Sequence, residues 1–209
     1  MRNFIFGVTT SFILLFTLVV EVHAVTGVTQ SELNKYLVMK PVMRGSFVQQ
    51  KKIAVLKKPL FSSGVFVASE KQGLYWQQKS PFLSETIVTH DFLAQRIKQG
   101  EVNQYTFEEQ PLLVGISRIF LAIWKGDMSV LNMEFESTIN FSDNKWKMVL
   151  VPTNKMMKKM ISKIVVQGSE YIEQVRLHES NGNLTDISIT GVTGSDKLLK
   201  NESGLFSWP

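Results

Sequence analysis

The polar side chains of this sequence offer few arrangements that could catalyse a reaction. The chain has no cysteine and three histidines, of which only His90 and His178 lie beyond the N-terminal segment. It therefore supplies neither a multi-histidine metal site nor a thiol nucleophile. The stretch GISRI at residues 115–119 places a serine two residues after a glycine but lacks the second glycine of a nucleophile elbow.

Two carboxylates have a spacing that could support general acid–base catalysis. Glu134 and Glu136 are two residues apart in a stretch that alternates apolar and polar side chains, which places both on one face of a predicted strand. The same alternation is typical of the solvent side of a sheet, and no glycine-rich phosphate-binding loop accompanies them. We therefore expect a binding protein with no enzymatic activity, no metal and no cofactor.

The N-terminal segment has the pattern of a secretory signal peptide. Arg2 precedes an uncharged stretch at residues 4–20, and the small residue Ala24 marks a cleavage site. An uncleaved membrane anchor is the alternative, although the apolar run is short for a bilayer span of about 20 residues. We expect residues 1–24 to be removed and residues 25–209 to form a single domain in the periplasm.

Charge and composition narrow the expected partners. The formal net charge is +5, and removal of the signal peptide leaves it unchanged because Arg2 and Glu21 cancel. This balance favours acidic partners or anionic membrane surfaces, whereas nucleic acid is not an expected partner outside the cytoplasm. Without cysteine the chain forms no disulfide and carries no N-terminal lipid, so we expect a freely soluble monomer.

Most of the chain has the period-two pattern of β-strands. Apolar and polar residues alternate from Met133 through Phe135, Ile139 and Phe141 to a turn at residues 142–144. This pattern predicts a β-hairpin with one solvent-exposed face. About ten such strands imply a large antiparallel sheet that curls on itself. The remaining strand-like stretches are residues 45–56, 63–69, 73–79, 84–91, 103–108, 146–150, 164–167, 170–178 and 184–190.

Three stretches have helical spacing instead. A capping box at residues 29–32 predicts a helix over residues 30–40 that Pro41 stops. Residues 111–124 are apolar on more than one stripe and need cover on several sides. Residues 153–163 carry methionines on one side and lysines on the other, and the end of this stretch belongs either to the helix or to the following strand. These lysines could dock an acidic membrane-protein partner or form an ordinary solvated helix face; they are Lys155, Lys158, Lys159 and Lys163.

The neighbouring aromatic residues Tyr75 and Trp76 raise the question of what covers the two faces of the sheet. Successive side chains of a strand point to opposite faces, so one of the two rings lies on each side. A curled sheet closed by apolar helices makes either an ordinary packed core or a cavity for a long apolar ligand. Composition does not decide between these alternatives.

A series of features follows a fixed order along the chain. It consists of a Phe-x-Gln segment, a glycine-led strand, a tryptophan, a proline turn, an Ile-Val strand, a proline-led helix and a strand that ends in proline. These features fall on Phe47 and Gln49, Gly64, Trp76, Pro81, Ile87 and Val88, Pro111 to Leu113, and Trp146 to Pro152.

This order and spacing resemble the periplasmic lipoprotein carriers of the LolA type over roughly residues 29–190. The resemblance implies an α+β fold: an open, incomplete antiparallel β-barrel of about ten strands, with helices forming a lid over an apolar cavity. In such a barrel one of Tyr75 and Trp76 lines the cavity and the other packs against the outer layer or a chain end. By apolar character and position, we expect the cavity to be lined by Phe47, Phe66, Trp76, Ile87, Leu113, Phe120, Phe135 and Met148.

The resemblance also implies a function without catalysis. The family's carriers act as chaperones that shield the acyl chains of a lipoprotein, which an inner-membrane donor complex supplies and an outer-membrane acceptor receives. One position departs from the family pattern, because Glu70-Lys71 stands where the carriers have the Arg-Pro pair that ties the barrel to the lid. We therefore expect the cargo to be a lipidated protein or another lipid or glycolipid, and a sensor that binds without transport is a further alternative.

Overall fold

The computed structural model describes residues 33–89, 92–106, 109, 111–125 and 127–208. Within them, eleven strands form one antiparallel sheet, and three helices accompany it. The strands are β1 (Val42–Lys52), β2 (Leu60–Ser69), β3 (Gly73–Ser80), β4 (Ser84–Val88), β5 (Leu93–Ile97), β6 (Val102–Tyr105), β7 (Phe135–Ser142), β8 (Lys145–Pro152), β9 (Ile161–Gly168), β10 (Ile172–Glu179) and β11 (Leu184–Ser195). The helices are α1 (Pro111–Lys125), α2 (Met128–Glu134) and α3 (Lys155–Met160).

The sheet consists of two meanders that join along the first and last strands. Its order is β6-β5-β4-β3-β2-β1-β11-β10-β9-β8-β7, so every neighbouring pair except β1 and β11 is consecutive in the sequence. The seam between β1 and β11 runs from Val42 opposite Ser195 to Lys52 opposite Leu184. Because β6 and β7 lie at opposite edges, the sheet is open, which confirms the predicted fold class with one strand more than expected.

Two elements were not predicted from the sequence. Strand β5 has the sequence LAQRI, which lacks a clear alternation, yet it pairs along the whole length of β4. Helix α2 occupies residues that the alternating pattern assigned to the start of a strand, and Asp127 caps it by accepting a hydrogen bond from the Ser129 amide. Met133 is consequently an exposed helix residue, and Glu134 ends the helix instead of sharing a strand face with Glu136.

The predicted helices differ in length from the observed ones. Helix α1 confirms the prediction for residues 111–124. Residues 30–32 of the N-terminal helix lie outside the described residues, and from Leu33 the chain makes a single turn closed by the Leu37 amide on the Leu33 carbonyl. Helix α3 is shorter than expected, because Ile161 already begins β9 and Lys163 therefore lies in a strand.

The two faces of the sheet are covered by different parts of the chain. The larger hydrophobic cluster lies on the face that α1 covers, which we call the helix-covered face. A smaller cluster on the opposite face packs against the C-terminal residues 196–208, and we call it the tail-covered face. The period of two in the strands therefore has apolar residues on both sides, and no helix among the described residues is long and apolar enough to cross a membrane.

Candidate functional site

Four aromatic rings from four elements form the centre of the helix-covered face. The Trp76 ring of β3 stacks on Phe47 of β1 with 3.8 Å between ring centroids. The ring centroid of Phe66 in β2 lies 6.1 Å from that of Trp76, and the ring centroid of Phe120 in α1 lies 6.2 Å from it. We call these four residues the aromatic cluster; offset and tilted ring contacts of this kind stabilise a core beyond the area they bury.

Glycines in β1 and β2 make room for this cluster. A Cβ atom at Gly45 would lie 2.7 Å from the Phe66 ring, so the ring rests directly on the backbone of β1. Gly64 is the partner of Phe47 in the ladder between β1 and β2. Because Gly64 has no side chain, Phe47 reaches across β2 to the ring of Trp76, which lies two strands away.

Helix α1 covers the aromatic cluster with its buried residues. Ile119, Phe120 and Ile123 share one side of the helix and are almost fully buried. The helix is joined to α2 by a 3.2 Å ion pair from Arg118 Nη1 to Glu134 Oε1. This pair is partly exposed to solvent, and such pairs contribute at most about 1 kcal/mol.

A small cavity lies between the sheet and α1. Its volume is about 70 Å³, well below the roughly 300–1,000 Å³ of pockets that hold small-molecule ligands. This cavity is therefore too small to hold such a ligand in this structure. The cavity is lined by Gln49, Leu74, Trp76, Thr86, Val88, Ser117, Phe120 and Ile187.

The structure distributes the predicted cavity residues over three places. Trp76 and Phe120 line the cavity itself. Four more lie in the hydrophobic cluster of the helix-covered face without lining it: Phe47, Phe66, Phe135 and Met148. Leu113 belongs to α1, but its side chain lies outside the described residues.

Ile87 lies on the other face of the sheet. It is the ladder partner of Tyr75, and both belong to the cluster of the tail-covered face. Apolar character alone did not reveal the face, because a chain segment covers each side of the sheet. Thr86, the partner of Trp76 in the same ladder, lines the cavity instead. Val88, the partner of Leu74, lines it as well. These two ladder pairings are the signal that would have identified both residues.

A second, more open pocket of about 190 Å³ lies beside the C-terminal end of α1. Its floor is apolar and is formed by Met43, Ala68 and Leu121, while Lys40, Glu70 and Lys125 contribute to its lining. Glu70 lies in the turn between β2 and β3, and its backbone amide donates a hydrogen bond to the Pro41 carbonyl. The position that departs from the family pattern therefore lies next to the helix that covers the cluster.

The C-terminal residues are fixed to the tail-covered face by a buried carboxylate. Glu202 accepts hydrogen bonds from Arg44 Nε at 2.5 Å and Arg44 Nη2 at 2.6 Å, and a third from the Leu199 amide at 2.8 Å. The Arg44 hydrogen bonds hold the pKa of Glu202 below its ordinary value, against the opposing effect of burial. Phe206 then packs edge-on against the Tyr75 ring, 6.5 Å between centroids.

A series of polar side-chain contacts on the same face leads from Tyr75 to Trp208 near the C-terminus. The Tyr75 hydroxyl donates to Glu85 at 2.6 Å, Arg96 donates to the other oxygen of Glu85, and the Arg96 guanidinium lies 4.8 Å from the Trp208 ring centroid. Burial and the bond to Glu85 raise the pKa of Tyr75. The prediction for residues 75 and 76 is confirmed: Trp76 lines the interior, and Tyr75 packs against a chain end.

Titratable groups do not assemble into a reactive centre in the part of the chain that the structure describes. No group of three or more histidine or carboxylate side chains in these residues could hold a metal ion. His90 lies outside the described residues, and His178 has a lowered pKa because of burial and the nearby charges of Lys163 and Arg176. The arrangement offers an apolar interior covered by α1.

Comparison with known proteins assigns the family. The family described as outer membrane lipoprotein carrier protein LolA-like matches residues 25–198. The chain belongs to this family. The match supports a periplasmic fold that binds lipids or lipoproteins, and no curated protein matches the sequence of this LolA-like chain.

Several solved structures are similar to this LolA-like chain at low sequence identity. A LolA superfamily protein from Nitrosomonas europaea has a TM-score of 0.48 and 6% identity, covering 84% of this chain and 97% of its own. A domain from Vibrio parahaemolyticus described as a putative outer membrane lipoprotein-sorting protein has a TM-score of 0.46 and 9% identity. The match covers 82% of this chain and 93% of that domain. A chain of the MucA/MucB complex of Pseudomonas aeruginosa has a TM-score of 0.36 and 12% identity. The match covers 77% of this chain and 54% of that chain.

Proposed function

We propose that this protein is a periplasmic carrier that binds the acyl chains of a lipoprotein between α1 and the rings of Phe47, Phe66 and Trp76 on the sheet. The observation that supports this most is the aromatic cluster itself, a set of large rings on the helix-covered face beneath a separate apolar helix. The family match to residues 25–198 agrees with such a role. In this proposal residues 1–24 are a signal peptide that directs residues 25–209 to the periplasm as a monomer.

Cargo binding in this proposal requires α1 to move away from the sheet. The cavity of about 70 Å³ is too small for an acyl chain, because ligand pockets measure several hundred Å³. The side chains at its wall, Trp76 and Phe120, are apolar and would exchange contact with each other for contact with the chain. The exposed ion pair between Arg118 and Glu134 adds little to the cost of this movement.

The first experiment is purification from the periplasm without detergent, followed by organic extraction and mass spectrometry. A stoichiometric acylated species supports the proposal and identifies the cargo class as a lipoprotein, a phospholipid or a glycolipid. A protein that is empty and also takes up no added fluorescent fatty-acyl probe contradicts it. Such a result favours a packed core and an interaction module.

Transfer between membranes separates a carrier from a sensor. Donor membranes carry a labelled lipoprotein, acceptor vesicles carry none, and the purified protein is the only link between them. A carrier, which receives cargo from an inner-membrane donor and delivers it to an outer-membrane acceptor, moves label at a rate that rises with its concentration. Binding without transfer in this assay contradicts the carrier and supports the sensor.

A further inference from the structure

Exposed apolar side chains are concentrated at one end of the sheet. This end, where β1, β3, β5, β8 and β10 finish, carries most of the large apolar residues that are exposed among those described. Val55 is 88% exposed in the loop between β1 and β2, and Met156 is 74% exposed in α3. Others at this end are Leu56, Leu60, Phe61 and Phe82.

The same end is rich in lysine. The loop between β1 and β2 contains Lys57 and Lys58 next to its apolar tip, and Lys52 ends β1. Helix α3 adds Lys155, Lys158 and Lys159. Three carboxylates at this end are paired with cations: Glu179 with Lys51 at 3.3 Å, Glu134 with Arg118 at 3.2 Å and Glu85 with Arg96 at 2.6 Å. Glu101 lies in the turn between β5 and β6, and the lysines outnumber it, so the end has an excess of positive charge.

Hydrogen bonds join the loop and α3 into one surface. The Ala54 amide donates to Asn183 Oδ1 at 3.0 Å, which fixes the loop between β1 and β2 to the turn between β10 and β11. In the same turn Ser180 donates from its amide to the Met160 carbonyl at 2.9 Å and from its hydroxyl to the Lys158 carbonyl at 2.8 Å. We call the loop at residues 53–59 together with α3 the basic end.

We propose that the basic end docks on an anionic phospholipid surface. Its apolar side chains protrude from separate turns and a short helix, so they suit the boundary between headgroups and acyl chains, where scattered apolar groups are buried without a matching groove. The lysines beside them contact lipid phosphates, and each lysine near such a surface strengthens the binding. A protein partner would instead need a shape complementary to these protrusions.

This docking surface is separate from the proposed cargo site. The aromatic cluster faces α1 inside the molecule, whereas Val55 and Leu56 are exposed at a loop tip. Docking would hold the carrier at the membrane from which it receives or to which it delivers an apolar molecule. Docking at the basic end does not depend on what the interior contains.

Sedimentation with vesicles tests the docking surface. Protein purified from the periplasm is mixed with vesicles of phosphatidylglycerol and phosphatidylethanolamine, or with vesicles of phosphatidylcholine alone. We expect strong binding to the anionic vesicles that weakens as salt is added, because exposed charges are screened, and weak binding to the neutral ones. Absence of binding to anionic vesicles overturns the proposal and leaves an acidic protein as the alternative partner.

Paired substitutions locate the surface. The variants Val55→Ser with Leu56→Ser, and Lys57→Gln with Lys58→Gln, should each lower the partition coefficient about tenfold or more. The matched control at another surface is Leu199→Ser with Lys200→Gln, which should bind as the unchanged protein does. All four loop residues are exposed, so circular dichroism should show native folding.

Two further results complete the test. Replacing Lys155, Lys158 and Lys159 by Gln should also weaken vesicle binding, since α3 belongs to the same surface. Uptake of the fatty-acyl probe should be unchanged in all these variants, which separates a failure of docking from a failure of the proposed cargo site. Equal vesicle binding by the loop variants and the control overturns the proposal.

Discussion

At the scale of the residue, Trp76 organises the interior because rings from three other elements contact it or lie beside it. Its stacking on Phe47 depends on Gly64, which contributes no side chain between the two rings. Gly64 is itself fixed by its surroundings, since a Cβ atom there would lie 1.8 Å from the Gln77 carbonyl oxygen. The close approach involves backbone on both sides, so a rotamer change cannot relieve it.

The variant Gly64→Ala should therefore be strongly destabilised. Separating β2 from β3 to admit the methyl group should lower the free energy of unfolding by about 3 kcal/mol or more, measured by urea denaturation. Gly204→Ala is the control, because nothing lies within 4 Å of a Cβ atom there, and it should change stability by less than about 0.5 kcal/mol. Equal stability of the two variants would show that β2 and β3 lie farther apart.

Phe120→Ala tests the contact between α1 and the sheet. The side chain is 1% exposed, so its removal should cost about 3–5 kcal/mol and enlarge the cavity beside Trp76. A fatty-acyl probe should then recover part of the lost stability, because a ligand that binds only the folded state stabilises it. Thermal unfolding with and without probe measures both effects.

The exposed residue Met133 supplies the control for this experiment. Met133→Ala should leave both the midpoint of unfolding and the effect of the probe unchanged, since 73% of that side chain is exposed. If the probe stabilises Phe120→Ala no more than it stabilises Met133→Ala, the space beneath α1 does not accept acyl chains.

At the scale of the element, the C-terminal segment is held by a group that titrates. The pKa of Glu202 is lowered by its hydrogen bonds from Arg44, so the carboxylate stabilises the docked segment above the unfolded pKa of about 4.3. This contribution is lost as the pH falls through the lower folded pKa. We expect amide hydrogen exchange in residues 199–206 to accelerate below about pH 4 relative to exchange in the strands of the sheet.

Substitution distinguishes Glu202 from its neighbours in that experiment. The pKa of Glu85 on the same face is also lowered, since the hydrogen bonds from Tyr75 and Arg96 outweigh the effect of burial. Glu202→Gln removes one of the two charges and should give fast exchange in the segment already at neutral pH, with little further change on acidification. Retention of the full pH dependence in this variant would assign the effect to Glu85.

Periodicity predicted the long elements and missed those that depend on partners. Ten of the eleven strands were expected because their apolar residues alternate, and α1 because its run is apolar throughout. Strand β5 was not predicted, because Gln95 and Arg96 interrupt the alternation of apolar residues. Its position is fixed by pairing with β4 and by the hydrogen bond from Arg96 to Glu85. The packing of the C-terminal segment depends on Arg44, which lies 158 residues from Glu202.

Residue type indicates which side chains are apolar but not which face of the sheet they occupy. Trp76 and Phe120 line the observed cavity, but Ile87 packs beneath the C-terminal segment. A strand that is covered on both sides has apolar residues at successive positions, so hydrophobicity carries no information about direction. Only the ladder partner settles the face, and partners are set by the register of the whole sheet.

At the scale of the whole molecule, the seam between β1 and β11 should form late in folding. In all neighbouring strand pairs except this one, the two strands are consecutive along the chain. Each meander can therefore form from local hairpins before the two seam strands come together. Ile189→Val, in β11, should then speed unfolding while leaving the folding rate nearly unchanged. Stopped-flow tryptophan fluorescence in urea measures both rates.

An equivalent substitution within one meander provides the comparison. Ile164→Val in β9 removes the same methyl group from a fully buried position and should slow folding, because its contacts form within the meander. The two variants should be destabilised by a similar 0.5–1.5 kcal/mol or so. If Ile189→Val slows folding as much as Ile164→Val does, the seam is part of the folding nucleus.

The same seam makes the protein a natural candidate for fragment complementation. A cut between β6 and α1 leaves two pieces, each of which contains a continuous meander, and the seam strands β1 and β11 fall on different pieces. When the two pieces are produced together, the ladder from Val42 opposite Ser195 to Lys52 opposite Leu184, together with α1 on the aromatic cluster, supplies the interface. Two halves of a reporter enzyme fused to the pieces would then report when the interior is assembled.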